Sequence, residues 1–274
     1  MYRKFLPYIS QNKKTKSIDI TNLIFSYTVV YIQRIPYLCS INPLHIMTQF
    51  SINERFNFLN DLTKMVIYDI TPSLIVTGEG GLGKTHSVSQ SIDNAGLENS
   101  EFVFFKGYST ARGLYNTLYD NNGKLIIFDD CDSVLEDKVA LNILKSALDS
   151  YGSRTISWMA KMNKNDEYPQ QFDFTGRIIF ISNKTKSSID GAILSRSLTV
   201  DLTMTPDEKI ERMSTILPNI LPEYDDQIKV EALDFLAENK TVANINMRTF
   251  IMVTKMRFSN PENWMNMATY MLNS

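Results

Sequence analysis

Eight consecutive residues constrain this chain more than any others. Gly78-Glu79-Gly80-Gly81-Leu82-Gly83-Lys84-Thr85 reads G-x-x-x-x-G-K-T, and the apolar run SLIVT at 73–77 leads into it. Glycines let a loop turn so tightly that successive backbone N–H groups point inward at phosphate oxygens. A helix opening at Lys84 adds the positive end of its dipole at the same spot. In such a loop the lysine reaches the β- and γ-phosphates, and the threonine hydroxyl ligates Mg²⁺. With glycine at roughly 7% of average sequences, a chance match in a chain of this length has odds on the order of one percent. The strand pattern before the loop and the helical pattern after it lower those odds further. Gly78 to Thr85 are therefore expected to bind a nucleotide together with Mg²⁺.

A second chemical feature lies downstream, where KLIIFDD at 124–130 reads as an apolar strand ending in two carboxylates. Beside a phosphate loop, Asp129 is placed to hold Mg²⁺ through water, and Asp130 to orient an attacking water. Asp132 reads instead as the N-cap of the helix that follows.

Around these motifs the chain alternates apolar runs with helical patterns, which is how a parallel α/β sheet reads. Strands are expected at 73–78, 102–107, 124–130, 177–183 and 197–203, with helices at 84–95, 110–121 and 138–150 between them. RTISWMA (154–160) and QFDF (171–174) read as a β-hairpin around the polar tip MNKNDEYP. After Pro206 no strand signal remains, and helices are expected at 206–216, 225–238, 243–257 and 261–272. The fold class is thus α/β: a parallel sheet flanked by helices, followed by a small all-α lid.

Composition sets outer limits. The 274 residues carry 28 Lys+Arg against 30 Asp+Glu, a formal net charge of −2, with 43% hydrophobic and 21% charged residues. That excludes a disordered acidic tail, a globally basic nucleic-acid coat, collagen and a multi-span membrane protein. Two cysteines, Cys39 and Cys131, are too few for a disulfide framework, so a reducing compartment is expected. The charge is uneven, because residues 1–46 hold six basic side chains and one acid (+5), leaving −7 for the other 228 residues. The uncharged run 20–33 in this segment has 14 residues, short of the about 20 a membrane-spanning helix needs, so no stable membrane insertion is expected. From Met47 an ordinary amphipathic helix begins, with Phe56, Leu59, Leu62 and Val66 on one face. The expected organisation is an N-terminal extension at 1–46, an α/β core at 47–204 and a helical lid at 205–274. The extension is either an appendage or translated upstream sequence.

The order of these parts resembles the AAA+ ATPase family over about 54–257, and the resemblance implies ATP and Mg²⁺ as ligands and ATP hydrolysis as the activity. Ile178-Ile179-Phe180-Ile181-Ser182-Asn183 is similar to the family's sensor 1 strand, whose Asn helps to place the lytic water. Asp190-Gly191-Ala192-Ile193-Leu194-Ser195-Arg196-Ser197 resembles the segment whose arginine reaches into a neighbouring subunit. Arg196 would then be an arginine finger, completing the site only in a ring or filament of identical chains. Arg248, in Asn246-Met247-Arg248, resembles the sensor 2 arginine that contacts the γ-phosphate. Many members carry Glu where this chain has Asp130, and the shorter side chain fits slow turnover. A hairpin before the sensor 1 strand resembles a branch with viral replication helicases and branch-migration motors, in which the hairpin tip grips DNA. Here Lys161 and Lys164 share the tip with Asp166 and Glu167, and the alternative is a hairpin that merely packs through Trp158.

The leading expectation is an oligomeric, Mg²⁺-dependent ATPase that remodels DNA or a replication complex. The alternative is a slow-turnover, ATP-gated helicase loader or protein-recruiting switch. A protein-unfolding motor is disfavoured, because Lys106-Gly107-Tyr108-Ser109 stands where an aromatic-hydrophobic-Gly pore motif would be. The arrangement suits a phage or plasmid replication function, which would place the chain in the cytoplasm, the host's if a phage encodes it.

Overall fold

Ser51 starts the first described helix, α1 (Ile52–Ile67), through a capping box: its hydroxyl accepts from the Glu54 N–H while the Glu54 carboxylate accepts from the Ser51 N–H. The computed structural model describes residues 50–149, 152–159, 168–241 and 244–273, so the 1–46 extension lies outside them. Next come β1 (Ser73–Thr77), α2 (Lys84–Asn94), β2 (Phe102–Lys106), α3 (Ala111–Asp120), β3 (Leu125–Asp129) and α4 (Lys138–Ala147). Two short strands, β4 (Thr155–Ser157) and β5 (Gln171–Asp173), precede β6 (Arg177–Ile181), the four-residue helix α5 (Gly191–Leu194) and β7 (Leu198–Asp201). Four helices close the described chain: α6 (Pro206–Ile216), α7 (Asp226–Glu238), α8 (Met247–Ser259) and α9 (Trp264–Asn273).

Five strands form one parallel sheet in the order β2-β3-β6-β1-β7. Alternation decides which face each side chain enters. Ile75, Ile126, Phe128, Ile178 and Phe180 share one core with Leu114, Tyr115 and Leu118 of α3 and Ile143 and Leu144 of α4. Leu74, Val76, Leu125, Ile127, Ile179 and Ile181 face the other way, against α1 and α2. Both faces of the central strands are therefore dry, as a parallel sheet covered by helices requires. The four last helices bury a core of their own, built on Met213, Leu236, Phe250, Val253 and Trp264. Together the parallel sheet, its flanking helices and the C-terminal helices match the expected fold class.

The helical bundle is tied to α1 by polar contacts. Arg55 ion-pairs with Glu208 and donates to Thr203 O at 2.7 Å, while Arg212 stacks 3.9 Å from the Phe56 ring centroid. Opposite, the β4–β5 hairpin is stapled to α3. The Tyr115 hydroxyl donates to Pro169 O at 2.6 Å, that of Tyr168 to Asp120 Oδ2 at 3.0 Å, and the rings of Trp158 and Phe172 pack on Tyr115. The hairpin tip with Lys161, Lys164, Asp166 and Glu167 lies outside the described residues.

Several boundaries differ from the sequence reading. The hairpin strands are three residues each, because only the paired central residues Ile156 and Phe172 turn to the core while their strand neighbours are exposed. The third of the last helices begins at Met247, since the Asn246 side chain accepts from the Arg248 and Thr249 N–H groups and caps it there. Asp132 caps no helix: it opens a short 3₁₀ turn and accepts from the Ser182 hydroxyl at 2.5 Å, and Asp137 caps α4 instead.

Candidate active site

The adjacent strands β3, β6 and β1 end at one edge of the sheet, so the residues following them converge there. Ligand sites in open α/β sheets form at these carboxyl ends. After β1 the chain turns at Gly78 with φ +135°, where a Cβ would stand 2.9 Å from the Leu202 carbonyl carbon. Only glycine satisfies both the torsion and that approach. Gly81, at φ +76°, lies against the Asn246 side chain in the same way.

Lys84 is the first residue of α2 and is only 4% exposed. Its ammonium donates to Gly78 O at 2.6 Å, Glu79 O at 2.7 Å and Asn183 Oδ1 at 2.9 Å. Burial pulls its pKa down to about 8, against the opposing pull of Asp130, Asp129, Asp132 and Glu79. Next to it, the Thr85 hydroxyl donates to Asp129 Oδ1 at 2.9 Å. The other Asp129 oxygen, Oδ2, pairs with the Lys106 ammonium at 3.2 Å.

Asp130 follows at φ +57°, a left-handed torsion rare outside glycine and tolerated best by Asn and Asp. Its N–H donates to Ile181 O at 3.0 Å, which ties β3's end to β6's end. Its carboxylate accepts from Asn183 Nδ2 at 2.6 Å. Asn183 thereby bridges Lys84 and Asp130, so one side chain joins the phosphate loop to the acidic strand end. Cys131, alongside, is buried, and desolvation raises its thiol to about 11, so it stays protonated and unreactive.

The loop, Asp130, Asn183, and Met247, Arg248 and Ile251 from α8 line a cavity of about 230 Å³. Arg248 thus faces the loop from the helical bundle. The bundle touches the loop directly as well: the Met247 N–H donates to Gly81 O at 2.9 Å, and Lys209 pairs with Glu79 Oε2 at 2.5 Å. Arg196 is not part of this cavity. Its carbonyl accepts from Ser73 Oγ, at the amino end of β1, and its Nη1 donates to Ala192 O at 2.9 Å. At about 3.3 Å per residue, the length of β1 sets it about 15 Å from the loop.

The donor set suits Mg²⁺. Thr85 and Asp129 offer oxygens only, and among the described residues no group of three or more His, Cys, Asp or Glu could hold a metal by itself. Mg²⁺ commonly takes one or two protein oxygens and completes its shell with substrate phosphates and water. Lys106, Lys209 and Asn246 were not singled out from the sequence. Lys106 carried a weak signal as the charged residue ending a strand. Lys209 and Asn246 carried none, because the fold brings them to the loop from 130 and 165 residues away.

No family model matches the chain. A phage T4 protein, described as an uncharacterized 36.7 kDa protein in the nrdC-mobD intergenic region, is 28% identical over 239 residues, covering 80% of this chain and 73% of its own. Among solved structures, a point mutant of RuvB from Thermotoga maritima superposes with TM-score 0.52 at 12% identity, over 81% of this chain and 69% of that one. Another structure of that protein, described as a Holliday junction branch migration motor, aligns with TM-score 0.45 at 12% identity, over 81% of this chain and 68% of that one. The likeness is one of fold: a parallel core sheet flanked by helices and followed by a helical bundle, as in the RuvB structure.

Proposed function

We infer that this chain binds ATP with Mg²⁺, hydrolyses it, and works as an oligomer on DNA or a replication complex. The observation that carries the reading is the Lys84–Asn183–Asp130 chain of hydrogen bonds, which lines one cavity together with Thr85, whose hydroxyl donates to Asp129 behind it. The loop N–H groups from Gly78 to Thr85 and the Lys84 ammonium would bind the β- and γ-phosphates. Thr85 and Asp129 would hold Mg²⁺, which when bound neutralises phosphate charge. Asp130 would accept a proton from the attacking water, with Asn183 fixing the carboxylate's direction. Arg248 would meet the γ-phosphate from the helical side. Arg196 lies too far from its own loop to serve it, which supports delivery to a neighbour's γ-phosphate. In related NTPases such a finger is worth roughly 10³–10⁵ in rate.

For the substrate, the reading draws on the hairpin whose base is held on α3 by Tyr115, Tyr168 and Trp158. Branch migration is said of RuvB; for this chain DNA is the substrate class to test first. The phage T4 relative supports a phage-encoded protein working in host cytoplasm, and among the described residues no helix is long and apolar enough to cross a membrane.

A slow switch is the second reading, favoured by Asp130 itself, whose short carboxylate is already engaged by Asn183. ATPase rate with and without DNA, at two salt concentrations and alongside native mass, separates the two. A DNA motor is stimulated by DNA, with stimulation falling steeply as salt rises. A switch binds ATP but turns over slowly whether DNA is present or not. A chain that binds no ATP ends both.

A further inference from the structure

Lys106 and Asp129 are direct neighbours across the β2–β3 ladder, and each is the last residue of its strand. Residues in register on neighbouring strands lie one strand spacing, about 4.8 Å, apart and point to the same face of the sheet. The register therefore delivers the Lys106 ammonium to the Asp129 carboxylate, and Gly107 N–H donating to Asp129 O at 3.3 Å continues the pairing past the strand ends. The resulting ion pair is asymmetric: the Asp129 side chain is 7% exposed and that of Lys106 is 66% exposed. Asp129 cannot move far, with Oδ1 held by Thr85, whereas the lysine stem is free to swing into solvent.

We propose that Lys106 is a built-in counter-ion for Asp129, occupying Oδ2 until a divalent cation arrives with the nucleotide and takes its place. This rests on the reading of Thr85 and Asp129 as the Mg²⁺ ligands. A buried carboxylate without a cationic partner is costly, and the lysine supplies that partner. The same contact competes with Mg²⁺ and raises the concentration needed to fill the site. Lys106 acts through Asp129 and is a positioning residue.

The test uses the full chain and a fluorescent ADP analogue, titrated with Mg²⁺ and, separately, bound in EDTA. Lys106→Met is expected to reach half-saturation at about two- to five-fold lower free Mg²⁺, which is what a partly exposed ion pair is worth. Lys106→Arg, which keeps the charge, tracks the wild type, and nucleotide binding in EDTA is the same in all three. An unchanged or higher Mg²⁺ requirement in Lys106→Met overturns the proposal. A several-fold loss of its binding in EDTA also overturns it, by making Lys106 a phosphate ligand. Absence of nucleotide binding in the wild type, or wild-type binding in Lys84→Ala, removes the site reading itself and the counter-ion role with it.

Discussion

Lys84 is sealed among loop carbonyls and near three aspartates, so two effects oppose each other at one nitrogen: burial expels its proton and the carboxylates retain it. Burial wins, and the pKa falls from 10.5 to about 8. The cost of holding this charge inside is fully present below pH 8 and is relieved as pH rises from about 8 to 10.5, so this group makes the folded protein gain stability over that window. Phosphate oxygens favour the ammonium, so nucleotide binding above pH 8 takes up a proton. Calorimetry at pH 8.5 in buffers of different ionisation enthalpy should show that uptake, none should appear at pH 6.5, and affinity should weaken as pH climbs past 8. Lys84→Ala should lose about 10- to 100-fold in nucleotide affinity, the value of a charge-assisted hydrogen bond in a dry site. The glycine pattern made this residue legible at once. Its partner Asn183 was legible as a strand-ending Asn similar to sensor 1, but its two hydrogen bonds were not, since they depend on β6 lying next to both β1 and β3. The role read for Asp132 failed for a related reason. The nearby helix suggested a cap, but the Ser182 hydroxyl, brought in by β6, claims the carboxylate.

Among the elements, the hairpin makes the clearest energetic statement. Tyr115 is fully buried, packs against Trp158 and Phe172, and places its hydroxyl on Pro169 O. Tyr115→Phe removes one hydrogen bond and leaves that carbonyl without it, at a cost of about 1 kcal/mol. Tyr115→Ala also opens a cavity in the sheet core, at about 3–5 kcal/mol. Urea unfolding of the two variants should separate these values, and a Tyr115→Phe protein as unstable as Tyr115→Ala would mean that the hydroxyl, not the ring, anchors the hairpin. The strands themselves were easy to read where both faces are buried, as in Leu125–Phe128 and Ile178–Ile181, because such runs are apolar throughout. Strand order was not readable, since nothing in the runs says which neighbour each one takes. With the order went Lys106, whose place beside Asp129 is a matter of register.

For the whole molecule, the position of Arg196 at the amino end of β1 carries the strongest prediction. Arg196→Ala should abolish hydrolysis while nucleotide affinity stays near the wild-type value. Mixing it with Asp130→Asn should restore activity, because the mixed assembly contains sites with an intact Asp130 facing an intact Arg196. Mixtures as inactive as either variant alone would refute a finger shared between subunits. The sequence divided the chain into sheet and bundle, because strand signals stop at Pro206, but it was silent on how the two halves touch. They touch at the loop, through Met247 on Gly81 and Lys209 on Glu79, and along α1, through Glu208 on Arg55 and Arg212 on Phe56. The bundle has its own packed core, and Met247 opens α8, a helix of 13 residues or about 20 Å. Gly81 therefore shares one hydrogen bond with the first turn of α8, so a change in the backbone of the phosphate loop is felt first at the start of that helix and, through its packed face, by the whole bundle.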